Sequence, residues 1–138
     1  MGFKSIMIVA DTHIIIWNAL SPEKLSKTAR RAFDQANESD GIVFCDISLW
    51  EIAMLMEKKR LVIDIPFLEF IELVKLTVNY QFKSISPEIA SLSSSLSSKV
   101  NGDPADRLIM ATAINLEIPL ITADKNLRDF PDVNTIFS

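Results

Sequence analysis

Ile6-Met7-Ile8-Val9-Ala10-Asp11 is five apolar residues, partly β-branched, closed by an acid. The run does not alternate between apolar and polar residues. It therefore reads as a strand buried on both faces, the kind found in parallel sheets. The same pattern recurs twice. Gly41-Ile42-Val43-Phe44-Cys45 ends at Asp46, and Pro119-Leu120-Ile121-Thr122 is followed by Asp124.

The segments between these strands are helical in composition. Thr12–Leu20 reads as a short helix. A second opens at Ser21-Pro22, with Ser21 as N-cap and Pro22 at the first helical position. Leu25, Ala29, Ala32, Phe33 and Ala36 share one face of it, with Lys24, Lys27 and Arg31 roughly opposite. Ile47–Lys59 is apolar nearly all round and is expected to be largely buried. Leu61-Val62-Ile63 reads as a short extended piece, Pro66–Val78 as a helix and Phe82–Ile85 as a short strand. Ser86-Pro87-Glu88 starts a helix through about Leu96. Within the Ser-rich stretch Ser91–Ser98, Leu92 and Leu96 keep i, i+4 spacing, which marks a helix end rather than a linker. Asp103-Pro104 begins a helix to Leu116, and a short helix and a strand near Thr135–Phe137 finish the chain. Alternating strands and helices imply an α/β fold of three layers, α/β/α, with a mainly parallel central sheet. One domain over residues 1–138 is expected.

Composition bounds the function. The 138 residues carry 18 acids and 14 Lys or Arg, a net charge of −4, with 49% apolar and 23% charged residues. That mix is globular. One Cys and one His exclude an internal disulfide and a structural zinc site. The longest apolar runs are about five residues, too short to span a bilayer, and the first stops too early for a signal-peptide core. A cytoplasmic location is expected.

Sites in such folds form beyond the carboxyl ends of the strands. Four acids sit there in apolar company: Asp11, Glu51, Asp106 and Asp124. Asp11 and Asp124 can each cap a following helix, and Asp106 can favour a helix dipole. Asp103 fits an N-cap. Glu51, mid-helix, has no capping role. Buried carboxylates must be paired, protonated or metal-bound. Arg107 adjoins Asp106 and Lys125 adjoins Asp124, but no Lys or Arg adjoins Asp11 or Glu51. A divalent cation resolves the conflict, and oxygen-only ligands suit Mg²⁺ or Mn²⁺.

Four segments in order resemble one family. They are Asp11-Thr12-His13, Ser48-Leu49-Trp50-Glu51-Ile52, Asp103-Pro104-Ala105-Asp106-Arg107-Leu108-Ile109-Met110-Ala111 and Leu120-Ile121-Thr122-Ala123-Asp124. Together they resemble the PIN domain, more narrowly VapC-type toxins of toxin–antitoxin pairs. The resemblance implies an Mg²⁺- or Mn²⁺-dependent ribonuclease that leaves a 5′-phosphate and a 3′-hydroxyl. Its acidic tetrad would fall on Asp11, Glu51, Asp106 and Asp124, with Asp103 as an accessory acid or cap. Thr12, Ser48 and Thr122 match polar positions that orient ligands or phosphate, and Arg107 is a candidate for the scissile phosphate. The resemblance further implies an RNA substrate, a cognate antitoxin and a homodimer, for which Phe67–Val78 offers apolar surface. Two positions depart from the pattern. Close relatives often carry His where Asn101-Gly102 precede Asp103, and Gly where Lys59-Arg60 precede the extended piece.

Lys24, Lys27 and Arg31, and also Lys58, Lys59 and Arg60, are candidate phosphate contacts, against the reading of plain solvated faces. His13 beside Asp11 reads as a packing or surface residue. A nuclease of RNA maturation and a non-catalytic PIN-like binding module are the alternatives. A strand-end phosphotransferase would want an acid where His13 stands. The four tetrad acids account for the whole excess of 18 acids over 14 bases. The acidic balance therefore does not argue against nucleic acid, because the rest of the chain is neutral.

Overall fold

The computed structural model describes residues 6–96, 102–128 and 130–137. The expectations that touch Ser97, Ser98 and Asn101 lie outside these. The elements run in the order β1 (Met7–Ala10), α1 (Thr12–Leu20), a 3₁₀ turn (Pro22–Lys24), α2 (Lys27–Asn37), β2 (Gly41–Cys45) and α3 (Asp46–Glu57). There follow α4 (Phe67–Thr77), β3 (Tyr80–Lys83), α5 (Pro87–Ser95), α6 (Pro104–Leu116), β4 (Leu120–Ile121), α7 (Lys125–Arg128) and β5 (Thr135–Ile136).

All five strands are parallel, in the order β3-β2-β1-β4-β5. β1 is central, and its register sets Ile8 beside Ile42 on one side and Val9 beside Leu120 on the other. Alternate strand residues face opposite layers. Ile8, Ala10, Ile42, Phe44 and Ile121 pack with Ile15, Phe33, Ile52 and Phe70 from α1 to α4. Val9, Val43, Cys45 and Leu120 pack with Ile109 and Ala113 of α6. Strands covered on both faces cannot alternate polar and apolar residues, which is why their runs read as continuous. The chain winds outward from β1 to β2 and β3, then returns to the far side of β1 for β4 and β5. The switch point lies between β1 and β4, so a crevice opens beyond their carboxyl ends.

Local chemistry sets the helix starts. Ser86 Oγ accepts from Ile89 N at 3.1 Å at the head of α5, and Asp103 accepts from Ala105 N at 2.9 Å at the head of α6. Ser21 does not cap the second helix. The chain makes a 3₁₀ turn there, passes through the extended and buried Leu25, and begins α2 after Ser26, whose Oγ accepts from Ala29 N at 3.1 Å. Leu25 still packs in the core with Ala29, Phe33 and Ala36, the face on which the pattern set it.

Leu61-Val62-Ile63 lies outside every helix and strand, and Val62 is 80% exposed. Two further expectations change. The strand expected at Phe82–Ile85 lies at Tyr80–Lys83, where the Tyr80 ring packs edge-on against Phe33 and Phe44. α3 is not largely buried: only Ser48 and Ile52 are, and Trp50 is 58% exposed.

Candidate active site

Asp11 ends β1 and opens α1 in one residue. Its Oδ1 accepts from Thr12 N at 2.8 Å, and its Oδ2 accepts from the Thr122 hydroxyl at 2.7 Å. Thr122 follows β4 directly, and its Oγ1 in turn accepts from Asp124 N at 3.1 Å. Asp124 uses Oδ1 to accept from Asn126 N at 2.9 Å and so steadies the start of α7. Asp11 and Asp124 thus each accept a backbone N–H at a helix start and also line the crevice. Capping fixes the carboxylate, and the strand end aims it at the crevice.

The second arm comes from α3. Thr12 Oγ1 donates to Glu51 Oε1 and lies 2.8 Å from Ser48 Oγ. A hydroxyl has one proton, so Ser48 is the donor to Thr12. Ser48 and Glu51 sit one helical turn apart, which puts both on the side of α3 that meets the head of α1. Thr12, Ser48 and Thr122 are all buried, and their hydroxyls bond to Glu51, to Thr12 and to Asp11 respectively.

Asp11, Glu51, Asp103, Asp106 and Asp124 line one cavity of about 350 Å³, together with His13, Trp17 and Ala123. No Lys or Arg is among the described residues that line it. Burial pushes the Asp11 carboxyl above the usual carboxylate range, against the pull of Thr122 and Thr12, and the charge of Asp124 adds to the rise. Burial also pushes Glu51 up to about 7, with the charges of Asp11, Asp103 and Asp106 contributing. Carboxyls pushed upward by burial and by neighbouring acids mark a site short of positive charge.

The donor chemistry fits a hard divalent cation: oxygen-only carboxylates from four elements around one crevice. The fit is one of convergence and not of a finished coordination sphere. Among the described residues, no three His, Cys, Asp or Glu side chains are grouped tightly enough to hold an ion as they stand.

Arg107 does not line the cavity. Its guanidinium donates from Nε to Ser93 O at 3.0 Å and from Nη2 to Leu96 O at 2.7 Å. These carbonyls end α5 and lack helical partners, so a cation is well placed on them. The arginine ties α5 to α6 beside the site. Lys24, Lys27, Arg31, Lys58, Lys59 and Arg60 are exposed. Of these, Lys24 stacks over the Trp17 ring, 5.8 Å from its centroid. His13 and Trp17 are cavity residues that the reading for acids passed over. Their i, i+4 spacing on the helix that starts at Asp11 was the available signal.

By sequence, residues 8–133 match the PIN domain. The chain belongs to the PIN-domain family. Ribonuclease VapC22 of Mycobacterium tuberculosis is 36% identical over 121 residues, which is 88% of this chain and 89% of that protein. The same PIN fold appears in VapBC2 from Rickettsia felis, solved bound to a promoter DNA fragment. It matches with a TM-score of 0.71 and 14% identity, over 94% of this chain and 96% of that one. DNA-bound VapBC from Salmonella typhimurium matches with a TM-score of 0.69 and 13% identity, over 94% and 96%. At such identities these structures speak to the fold alone. The matched range contains Asp11, Glu51, Asp106 and Asp124.

Proposed function

We propose that residues 1–138 act as one PIN domain with endoribonuclease activity, the toxin of a VapC-type toxin–antitoxin pair. The observation that carries this reading is the convergence of Asp11, Glu51, Asp106 and Asp124 on one cavity whose described lining holds no Lys or Arg. The kinship with Ribonuclease VapC22 supports RNA as the substrate.

Asp11, Asp106 and Asp124 would hold Mg²⁺ or Mn²⁺, with Glu51 as a further ligand. When bound, the ion supplies Lewis-acid chemistry: it offsets phosphate charge and makes a water a better nucleophile at neutral pH. The chain does the rest. Thr122 and Thr12 N hold the Asp11 carboxylate in one orientation. Thr12, backed by Ser48, fixes Glu51 Oε1, and a carboxyl titrating near 7 can take a proton from an attacking water.

The cognate antitoxin and a second copy of the chain are the proposed protein partners. Leu68 and Leu76 of α4, 77% and 81% exposed, offer apolar surface for either. No helix among the described residues is long and apolar enough to cross a membrane, and we place the protein in the cytoplasm.

The test is cleavage of RNA by purified protein with Mg²⁺ or Mn²⁺, and its loss with chelator. Asp11→Asn and Asp106→Asn should each abolish it. Full activity in both variants would overturn the site assignment. Growth arrest on expression, relieved by a small neighbouring gene, would separate a toxin from a maturation nuclease.

A further inference from the structure

RNA approaching this site meets an obstacle. The cavity is acidic, and each phosphate flanking the cleaved one is repelled by it, so part of the binding must come from contacts that do not depend on charge. The cavity lining supplies two rings, His13 and Trp17, one helical turn apart on α1. Their centroids are 6.1 Å apart and their planes meet at 61°. A flat base laid on one ring therefore has its edge against the other. Phe137 extends the row, 6.4 Å from Trp17. It is held there by its carbonyl, which accepts from Ser26 Oγ at the head of α2. Two cations sit on this row beyond the acids: Lys24 over Trp17, and Arg128 over Phe137 at 5.9 Å.

Aromatic rings bordered by cations are the arrangement that binds single-stranded nucleic acid. Bases stack on the rings whatever their identity, and the cations take the backbone. We propose that the His13–Trp17 edge of the acid cavity is a stacking subsite for the unpaired base next to the scissile phosphate, with Lys24 and Arg128 taking flanking phosphates. The subsite rests on the ribonuclease reading above. It makes the substrate an unpaired stretch of RNA, because a base inside a duplex has no free face to offer. Lys24 is exposed, so its ammonium can leave the ring for a phosphate at little cost.

Trp17 also packs against the core, so the test must separate stacking from support. An oligoribonucleotide with one mapped cleavage site is compared with versions carrying an abasic ribose on either side of that site. Removing the stacked base should weaken wild-type binding on the order of tenfold. In Trp17→Ala, intact and abasic RNA should bind alike, an outcome that lost support alone would not produce. A second measurement needs no change at Trp17. In Trp50→Phe with Asp106→Asn, Trp17 is the sole tryptophan and cleavage is silenced, and its fluorescence should be quenched by the intact RNA and less by the abasic one. An equal abasic penalty in wild type and Trp17→Ala, or binding without quenching, overturns the subsite while leaving the nuclease reading intact. Absence of any cleavage by the wild type removes that reading and the subsite with it.

Discussion

The Thr122 hydroxyl donates to Asp11 Oδ2 at 2.7 Å, and the two residues are 111 positions apart in the chain. The same oxygen accepts from Asp124 N at 3.1 Å. One threonine thus fixes a carboxylate at the end of β1 and the backbone of a second acid after β4. Replacing it by Val keeps the shape and removes both bonds. Thr122→Val is expected to lower RNA cleavage about 10- to 100-fold, the usual effect of losing an orienting partner behind a ligand. It should cost about 1–3 kcal/mol of stability, since the bonds are buried. Cleavage rates and denaturant midpoints measure both. A Val variant as active as wild type would mean that the strand ends alone orient Asp11.

Glu51 gives the pH dependence. Its folded pKa is raised from 4.5 to about 7. Below about pH 4.5 the folded and unfolded states both hold the proton, and Glu51 is neutral to stability. Between 4.5 and 7 the unfolded state loses its proton first, so metal-free stability falls as pH rises. Above 7 the penalty is complete. Glu51→Gln cannot ionise, and its amide oxygen can still accept from Thr12. The variant should match wild type near pH 4 and exceed it near pH 8. After discounting for partial exposure the gain is about 1 kcal/mol. Urea titrations in chelator at the two pH values test this. A wild type whose stability rises between pH 5 and 8 relative to the variant would contradict it.

How much of this was written in the sequence follows from burial. β1, β2 and β4 are covered on both sides and so carry uninterrupted apolar runs, and the acids that follow them stand out by contrast. β3 was misplaced by two residues because it is an edge strand. Gln81 and Phe82 are exposed, so no run marks it, and its position comes from pairing with β2 and from the contacts of Tyr80. Ser21 and Ser26 offer near-identical caps, Ser-Pro against Ser-Lys, and Ser26, which caps α2, also donates to Phe137 O, a contact 111 positions away that no local pattern announces. Arg107 was legible as a cation beside an acid. That it serves the carbonyls of Ser93 and Leu96 depends on the packing of α5 on α6, which no local pattern announces.

Metal binding should compete with protons at Asp11 and Glu51, both of which have raised pKa values. A carboxyl must lose its proton before it can ligate. Mg²⁺ or Mn²⁺ should therefore raise the melting temperature by more at about pH 8 than at about pH 5.5, with chelator reversing the gain. At saturation near one hundred times Kd the stabilisation is about 2.7 kcal/mol. Asp11→Asn should lose most of this shift at both pH values. A shift that is the same at both, or intact in Asp11→Asn, would place the ion elsewhere.

The last prediction contrasts two backbone positions in the left-handed region. α3 ends with Lys59 at φ 57, where Lys59 N donates to Met56 O at 3.0 Å and Arg60 N to Leu55 O at 2.9 Å. This is the helix-ending motif that glycine normally serves. Lys59 adopts the geometry with a side chain in the way. Lys59 is exposed, and Lys59→Gly should stabilise by about 0.5–1 kcal/mol. Gly41 is the reverse case. It opens β2 at φ +100, and an added Cβ would stand 2.6 Å from Asn79 O, the atom that accepts from Ile42 N. That neighbour is backbone inside the β2–β3 pairing and cannot step aside cheaply. Gly41→Ala should cost about 1–3 kcal/mol. Denaturant midpoints should move in opposite directions for the two variants.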